Sequence, residues 1–274
     1  MIKSQQRGSP IELTAAHEAE YWDRVIEGFS DGPGSRLWRQ HSDRVNSELL
    51  ARWLPEARIK RALKTDLFDE AIGDGLYSII SPHAGSFIGV DLSKAAVTRA
   101  VASRSRLKGL VADVRRLPFK SASFDFILSN STLDHFQRAH DIDDALAELN
   151  RVLCSGGELV ITMDNSRNPI LALRRRVQNA LLALGVLPYF TGPSYDARGL
   201  RKLLIDNGFD VREQTTLLHS PRLPAMAIAR MIEVIGMRGL CSAYLSCLNR
   251  MERLAITRAA NVTGYFVAAR AVKH

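Results

Sequence analysis

Three aspartates recur at even spacing, Asp69, Asp91 and Asp113, and each closes a short apolar run: LFD, FIGVD and GLVAD. If those runs are neighbouring parallel strands, three carboxylates stand on one sheet edge, where they accept hydrogen bonds and donate none. A carboxylate after a second strand accepts from both hydroxyls of a ribose and repels a 2′-phosphate; one after a third strand can accept from an adenine amine. The stretch LFDEAIGDG adds Gly73 and Gly75, with Ala71 where a third glycine would complete a nucleotide loop. Small residues suit a backbone that passes close to a ligand, although a glycine pair also marks an ordinary turn. His135, in STLDHF, is the histidine that the sequence sets at the same edge, and imidazole is the commonest side-chain base. Asp134 and Asp164 are placed to orient it or to take its place; a capping surface histidine is the plain alternative.

These residues need a scaffold. Strands are expected over 64–69, 86–91, 109–113, 124–129 and 157–163, separated by helices such as 142–153, where Ala145, Leu146, Leu149 and Val152 fall on one stripe. Strands alternating with helices imply a parallel sheet covered on both faces. Such sheets bind ligands outside the carboxyl ends of the strands, where strand order reverses. Ahead of this pattern, 18–26 and 43–54 read as two helices joined by the turn 31–35, a cap or lid over the core edge.

The series LFDEAIGDG, FIGVDLS, VADVRRLPF, FDFILSNSTLDHF and LNRVLCSGGELVITMDN resembles the class I S-adenosylmethionine-dependent methyltransferases in order and spacing, over about 60–210. The resemblance implies a doubly wound, mostly parallel seven-stranded sheet of Rossmann-like type. Its last strand, at 261–272, would insert antiparallel. Residues 1–59 would form a helical cap and 60–274 the methyltransferase domain, with helical insertions at about 168–190 and 221–260. It also implies S-adenosylmethionine as cofactor. The loop with Gly73 and Gly75 would hold its methionine part, Asp91 the ribose and Asp113 the adenine amine, with Leu92 and Val114 on the ring faces and Asp69 and Asn130 also among the cofactor-binding residues. A nicotinamide-dependent oxidoreductase is the rival on a related fold, but GDGLYS has no glycine at position 78 to complete GxGxxG.

Methyl transfer from a sulfonium asks mainly for positioning, plus a base when the acceptor is a hydroxyl. His135 is the candidate catalytic residue. Strand four ends in Ser129-Asn130-Ser131, without the Asn/Asp-Pro-Pro-aromatic signature of enzymes that methylate planar nitrogens, so O-methylation is preferred. The insertions carry aliphatic and methionine stripes, which suit a small apolar acceptor and a role in small-molecule biosynthesis.

Charge is placed unevenly across the 274 residues. From Arg167 onward there are 16 Lys and Arg against 6 Asp and Glu, so the remainder carries 21 against 23. A basic second half can serve an RNA-binding methyltransferase or a peripheral membrane contact, but aromatics are scarce among its arginines and no nucleic-acid partner is expected. Cys154, Cys241 and Cys247 form no CxxC pair, and no metal site is expected. The chain shows no membrane-length apolar run and no leader-like start, which points to a cytoplasmic location.

Overall fold

The computed structural model describes residues 15–28, 35–184, 187 and 190–274. Two helices, α1 (Ala15–Gly28) and α2 (Ser35–Trp53), precede the first strand. The expected turn at 31–35 falls almost wholly outside the described residues. The sheet strands are β1 (Ile59–Lys64), β2 (Ala84–Asp91), β3 (Leu107–Val111), β4 (Phe124–Asn130), β5 (Leu153–Asp164), β6 (Phe209–Leu217) and β7 (Phe266–Lys273). Between them lie α3 (Phe68–Ile72), α4 (Tyr77–Ile80), α5 (Lys94–Ala102), α6 (Ala139–Val152), α7 (Pro169–Ala183), α8 (Ala197–Asp206), α9 (Arg222–Ile235), α10 (Arg238–Met251) and α11 (Ala260–Thr263).

The seven strands run in the order β3-β2-β1-β4-β5-β7-β6, with β7 antiparallel to both neighbours and the other pairings parallel. Strand order therefore reverses between β1 and β4. That junction opens the crevice where a doubly wound sheet receives its ligand. Leu159, Val160, Ile161 and Met163 of β5 are all buried, as expected of a strand covered on both faces. On one face Ile142, Ala145, Leu146, Leu149 and Val152 of α6 pack in a single stripe against the sheet. On the other, Trp38, Val45, Leu49, Leu50 and Trp53 of α2 join the core, so the N-terminal helices are built into the domain.

Several boundaries differ from the sequence reading, and the strand expected over 64–69 lies at Ile59–Lys64. β1 ends at Lys64, so Asp69 does not close it and lies instead in the first turn of α3. The reason is Lys64 itself: its ammonium is fully buried and held by Asp66 at 3.0 Å and Glu70 at 2.8 Å, a pairing across the loop that hydropathy does not show. β3 ends at Val111, which leaves Asp113 two residues out in the following loop. The final strand starts at Phe266, because 260–263 form a helical turn first.

Candidate active site

A cavity of about 330 Å³ opens at the carboxyl edge of the sheet, over the β1/β4 junction. Its volume lies in the range of small-molecule sites. One end is bounded by Asp91, Leu92 and Ser93 after β2 and by Ala112, Asp113 and Val114 after β3. Asp91 is anchored: one carboxylate oxygen accepts from the Leu67 amide and the other from the Ser93 amide, both at 2.8 Å. Burial raises its carboxyl to about 6 despite those two bonds. Each oxygen keeps a further lone pair for a hydroxyl donor. Asp113 is held by Arg115, whose guanidinium also reaches Glu18 of α1 and Asp141 at 3.2 Å and stacks 4.9 Å from the Phe136 ring. Leu92, Val114 and Phe136 thus supply apolar walls for a flat ring.

The middle of the cavity gathers carboxylates. Asp66, Asp69 and Asp43 of α2 all line it, together with Arg39, Asn46, Thr65, Thr132 and Asn130. Burial raises Asp69 to about 7 and, with Glu70 next in effect, Asp43 to about 6. Asn130 points its amide at Asp69, 3.4 Å away, and its carbonyl oxygen accepts from Thr162 at 2.9 Å. Several desolvated acids facing one enclosed space are costly unless a cation sits among them.

The other end is aromatic. Tyr21 and Trp22 of α1, Trp38 of α2, Phe190, Leu218, Met226, Tyr265 and Phe266 surround His135 and Arg222. His135 Nδ1 lies 3.1 Å from the Phe190 carbonyl oxygen, which can only accept, so Nδ1 carries a proton. Burial lowers the pKa of the ring, so it is neutral and Nε2 bears the lone pair. Trp22 packs edge-on against it with ring centroids 5.0 Å apart. The backbone holds Nδ1, while Asp164 lies close enough to interact with the ring electrostatically, as expected of a residue placed to orient it. Asp134 accepts instead from Ser131 Oγ at 3.0 Å and from the Asp164 amide at 3.3 Å. Two non-glycine residues at the cavity, Ser131 (φ 51) and Leu218 (φ 56), hold left-handed backbone, a strain of about 1–3 kcal/mol each that accumulates at functional sites.

Gly73 and Gly75 are not part of this lining. They follow α3: Gly73 is exposed beside Arg104, which donates to the carbonyls of Gly73 and of Asp74, the latter at 2.9 Å, and Gly75 is buried. Gly75 has a packing reason to be glycine: at φ +59 a Cβ would meet the Glu70 carboxyl at 2.6 Å. The loop that does cross the strand edge is Thr65-Asp66-Leu67, with Phe68 and Asp69 beyond it, held by Lys64 and by Asp91 rather than by glycine flexibility. Asp91, Leu92, Asp113, Val114, Asn130, Asp69 and His135 come together as the sequence suggested. Asp66, Asp43, Arg39, Trp22, Tyr265 and Arg222 were missed. Asp66 alone left a signal, as the first acid after an apolar run ending in Leu63.

A family model described as a methyltransferase domain matches residues 68–161, from α3 through β5. Those residues carry a methyltransferase domain, and the chain is similar there to S-adenosylmethionine-dependent methyltransferases. A curated relative from Arabidopsis thaliana, a tRNA (carboxymethyluridine(34)-5-O)-methyltransferase, is 26% identical over 164 residues; these are 59% of this chain and 37% of that protein. The chain thus covers well under half of that relative's length. Among solved structures, the [4+2]-cyclase SpnF superposes with a TM-score of 0.61 at 18% identity, covering 95% of this chain and 97% of that one. The N-methyltransferase NodS from Bradyrhizobium japonicum, solved with S-adenosylhomocysteine, gives 0.55 at 14% identity, with 93% and 97% covered. These likenesses show the fold of the methyltransferase domain, and a fold can host more than one chemistry.

Proposed function

We propose that this domain transfers a methyl group from S-adenosylmethionine to an oxygen of a small, largely apolar acceptor. The donor set fits the cofactor. Asp91 would accept from the ribose hydroxyls, Leu92, Val114 and Phe136 would flank the adenine, and Asp113, kept in place by Arg115, would face its amine. The acidic cluster of Asp66, Asp69 and Asp43 suits the cationic amine and sulfonium, while the guanidinium of Arg39 on the same lining suits the carboxylate. When bound, that cofactor supplies an electrophilic methyl on a positively charged sulfur.

The observation that carries the reading of the acceptor is His135. Its Nδ1–H is committed to the Phe190 carbonyl and its pKa is lowered, so Nε2 is an unprotonated acceptor inside an aromatic chamber. A hydroxyl placed there can pass its proton to Nε2 as the oxygen is methylated. Trp22, Phe190, Met226 and Phe266 would hold an apolar body and exclude water, and alignment within a dry site supplies much of the rate. His135→Ala tests it. Turnover should fall by roughly a hundredfold or more with S-adenosylhomocysteine affinity retained. Full turnover in the variant would leave positioning alone as the mechanism.

The tRNA-modifying relative and the basic second half support a second reading, in which RNA is the acceptor. Salt-dependent retention of the chain on tRNA, with methyl incorporation into it, would favour that reading over the first.

A further inference from the structure

The two helical insertions carry apolar residues on faces that the fold leaves uncovered. In α9 the buried side is Ala225, Ala229 and Ile232. On the opposite side Leu223, Ala227, Met231 and Val234 recur at helical spacing and are exposed, with Met231 at 67% and Val234 at 73%. Gly236, at φ 73, ends α9 and turns the chain into α10, and Met237 and Leu240 continue the exposed apolar surface across the turn. In α7 the pattern repeats: Leu171 and Gln178 are buried, whereas Leu173 (61%) and Val177 are exposed, as is Leu184 (75%) just past its end. A soluble monomer seldom leaves such stripes facing water.

The charges among these stripes have one sign. Across α7, α9 and α10 there are seven arginines, Arg174, Arg175, Arg176, Arg222, Arg230, Arg238 and Arg250, and one acid, Glu233. Glu233 accepts from the Leu37 amide at 2.8 Å and so faces α2, inward. Arg176, Arg230 and Arg238 are exposed beside the apolar residues. Both insertions also approach the acceptor end of the cavity: Arg174 donates to the Tyr265 hydroxyl at 3.0 Å, and Arg222 lies 5.7 Å from the Tyr265 ring. No helix among the described residues is long and apolar enough to cross a membrane.

We propose that α7 and the α9–α10 hairpin form a docking surface for an anionic lipid bilayer, on which the domain lies peripherally. Leucine, isoleucine and methionine side chains would enter the headgroup boundary while arginines meet lipid phosphates, the arrangement of interfacial amphipathic helices. Charge selects this occupant over a neutral bilayer. It also selects against a second copy of the same face, since equal patches of arginine repel. The proposal stands whatever the acceptor is.

Flotation of the full chain with phosphatidylcholine vesicles, with and without phosphatidylglycerol, tests it. Binding is expected only to the anionic vesicles, at low salt, and is lost at high salt. Met231→Glu/Val234→Glu, at two exposed positions that line no cavity, should weaken partitioning by about tenfold or more, because each glutamate removes apolar contact and adds repulsion. An unchanged melting temperature would show that the variant is folded. Absence of binding to the anionic vesicles overturns the proposal, as does equal binding by wild type and variant. Light scattering that shows a dimer which the variant dissolves, or retention on RNA without retention on vesicles, would assign the surface to another macromolecule and overturn it equally.

Discussion

Asp69→Asn probes the acidic heart of the cavity on two independent scales. Burial raises the Asp69 carboxyl from 3.8 to about 7 while Lys64 pulls it down and Asp66, Glu70 and Asp43 push it up. A carboxyl whose pKa is raised on folding opposes folding when ionised. The penalty is absent below 3.8, grows as the pH rises toward about 7, and is constant above that. A rise of about 3 units corresponds to on the order of 4 kcal/mol at roughly 1.4 kcal/mol per unit. Without ligand, Asp69→Asn should therefore be the more stable protein above neutrality, by up to that amount, and no more stable at strongly acid pH. Binding should change in the opposite sense. A cation entering the cluster must displace the proton, so wild-type affinity for S-adenosylhomocysteine should weaken by about tenfold for each unit below the raised pKa. The variant should bind roughly ten- to a hundredfold more weakly at neutral pH, the worth of one charge-assisted hydrogen bond. Thermal unfolding against pH, with calorimetry in buffers of different ionisation enthalpy, reads both. A wild type that binds with no proton release, or a variant that is destabilised above neutrality, would refute the placement of a cation beside Asp69.

Other perturbations separate the elements of the site. Gly73→Ala should change neither stability nor S-adenosylhomocysteine affinity by calorimetry, since its φ of −167 is extended backbone and a Cβ would meet nothing closer than 3.7 Å; a large loss would return this glycine to the cofactor loop. Gly75→Ala should lower thermal stability by about 1–2 kcal/mol or more through its left-handed φ and its contact with Glu70, and a neutral result would contradict that packing. His135 is neutral over the whole range above its lowered pKa, so the acid limb of the turnover profile should come from the carboxylates; in His135→Ala the residual rate should keep that limb, and its disappearance would reassign it to the imidazole.

Much of the scaffold was legible because periodicity reports burial. β2 and β4 end within a residue of where the alternation stops, and α6 follows its apolar stripe from Ile142 to Val152. Asp91 was legible for the same reason, as the first charge after FIGV. Failures have particular causes. A lysine ending β1 looks like the start of a loop or strand until Asp66 and Glu70 are seen closing over it, and this moved Asp69 off the strand end. The glycine pair drew attention by type, whereas its setting, with Glu70 lying across Gly75, exists only in three dimensions. The first turns of α2 escaped because Arg36 and Arg39 interrupt its apolar pattern, yet Trp38 and Arg39 of those turns line the cavity. Contributions from α1 and α2 depend on packing against elements distant in sequence, such as Asp23 of α1 accepting from Ser93 Oγ at 2.6 Å and from the Ala95 amide at 2.9 Å.

The most direct test of the cofactor assignment is calorimetric titration of S-adenosylhomocysteine into the wild type and into Asp91→Asn and Asp91→Ala. One molecule per chain should bind the wild type. Both variants should lose affinity by roughly tenfold or more, from about 1.5–3 kcal/mol for each charge-assisted bond, with Asp91→Ala the weaker because it also abandons the Leu67 and Ser93 amides. Equal affinity in all three proteins, or binding of NADH in place of S-adenosylhomocysteine, would contradict the assignment.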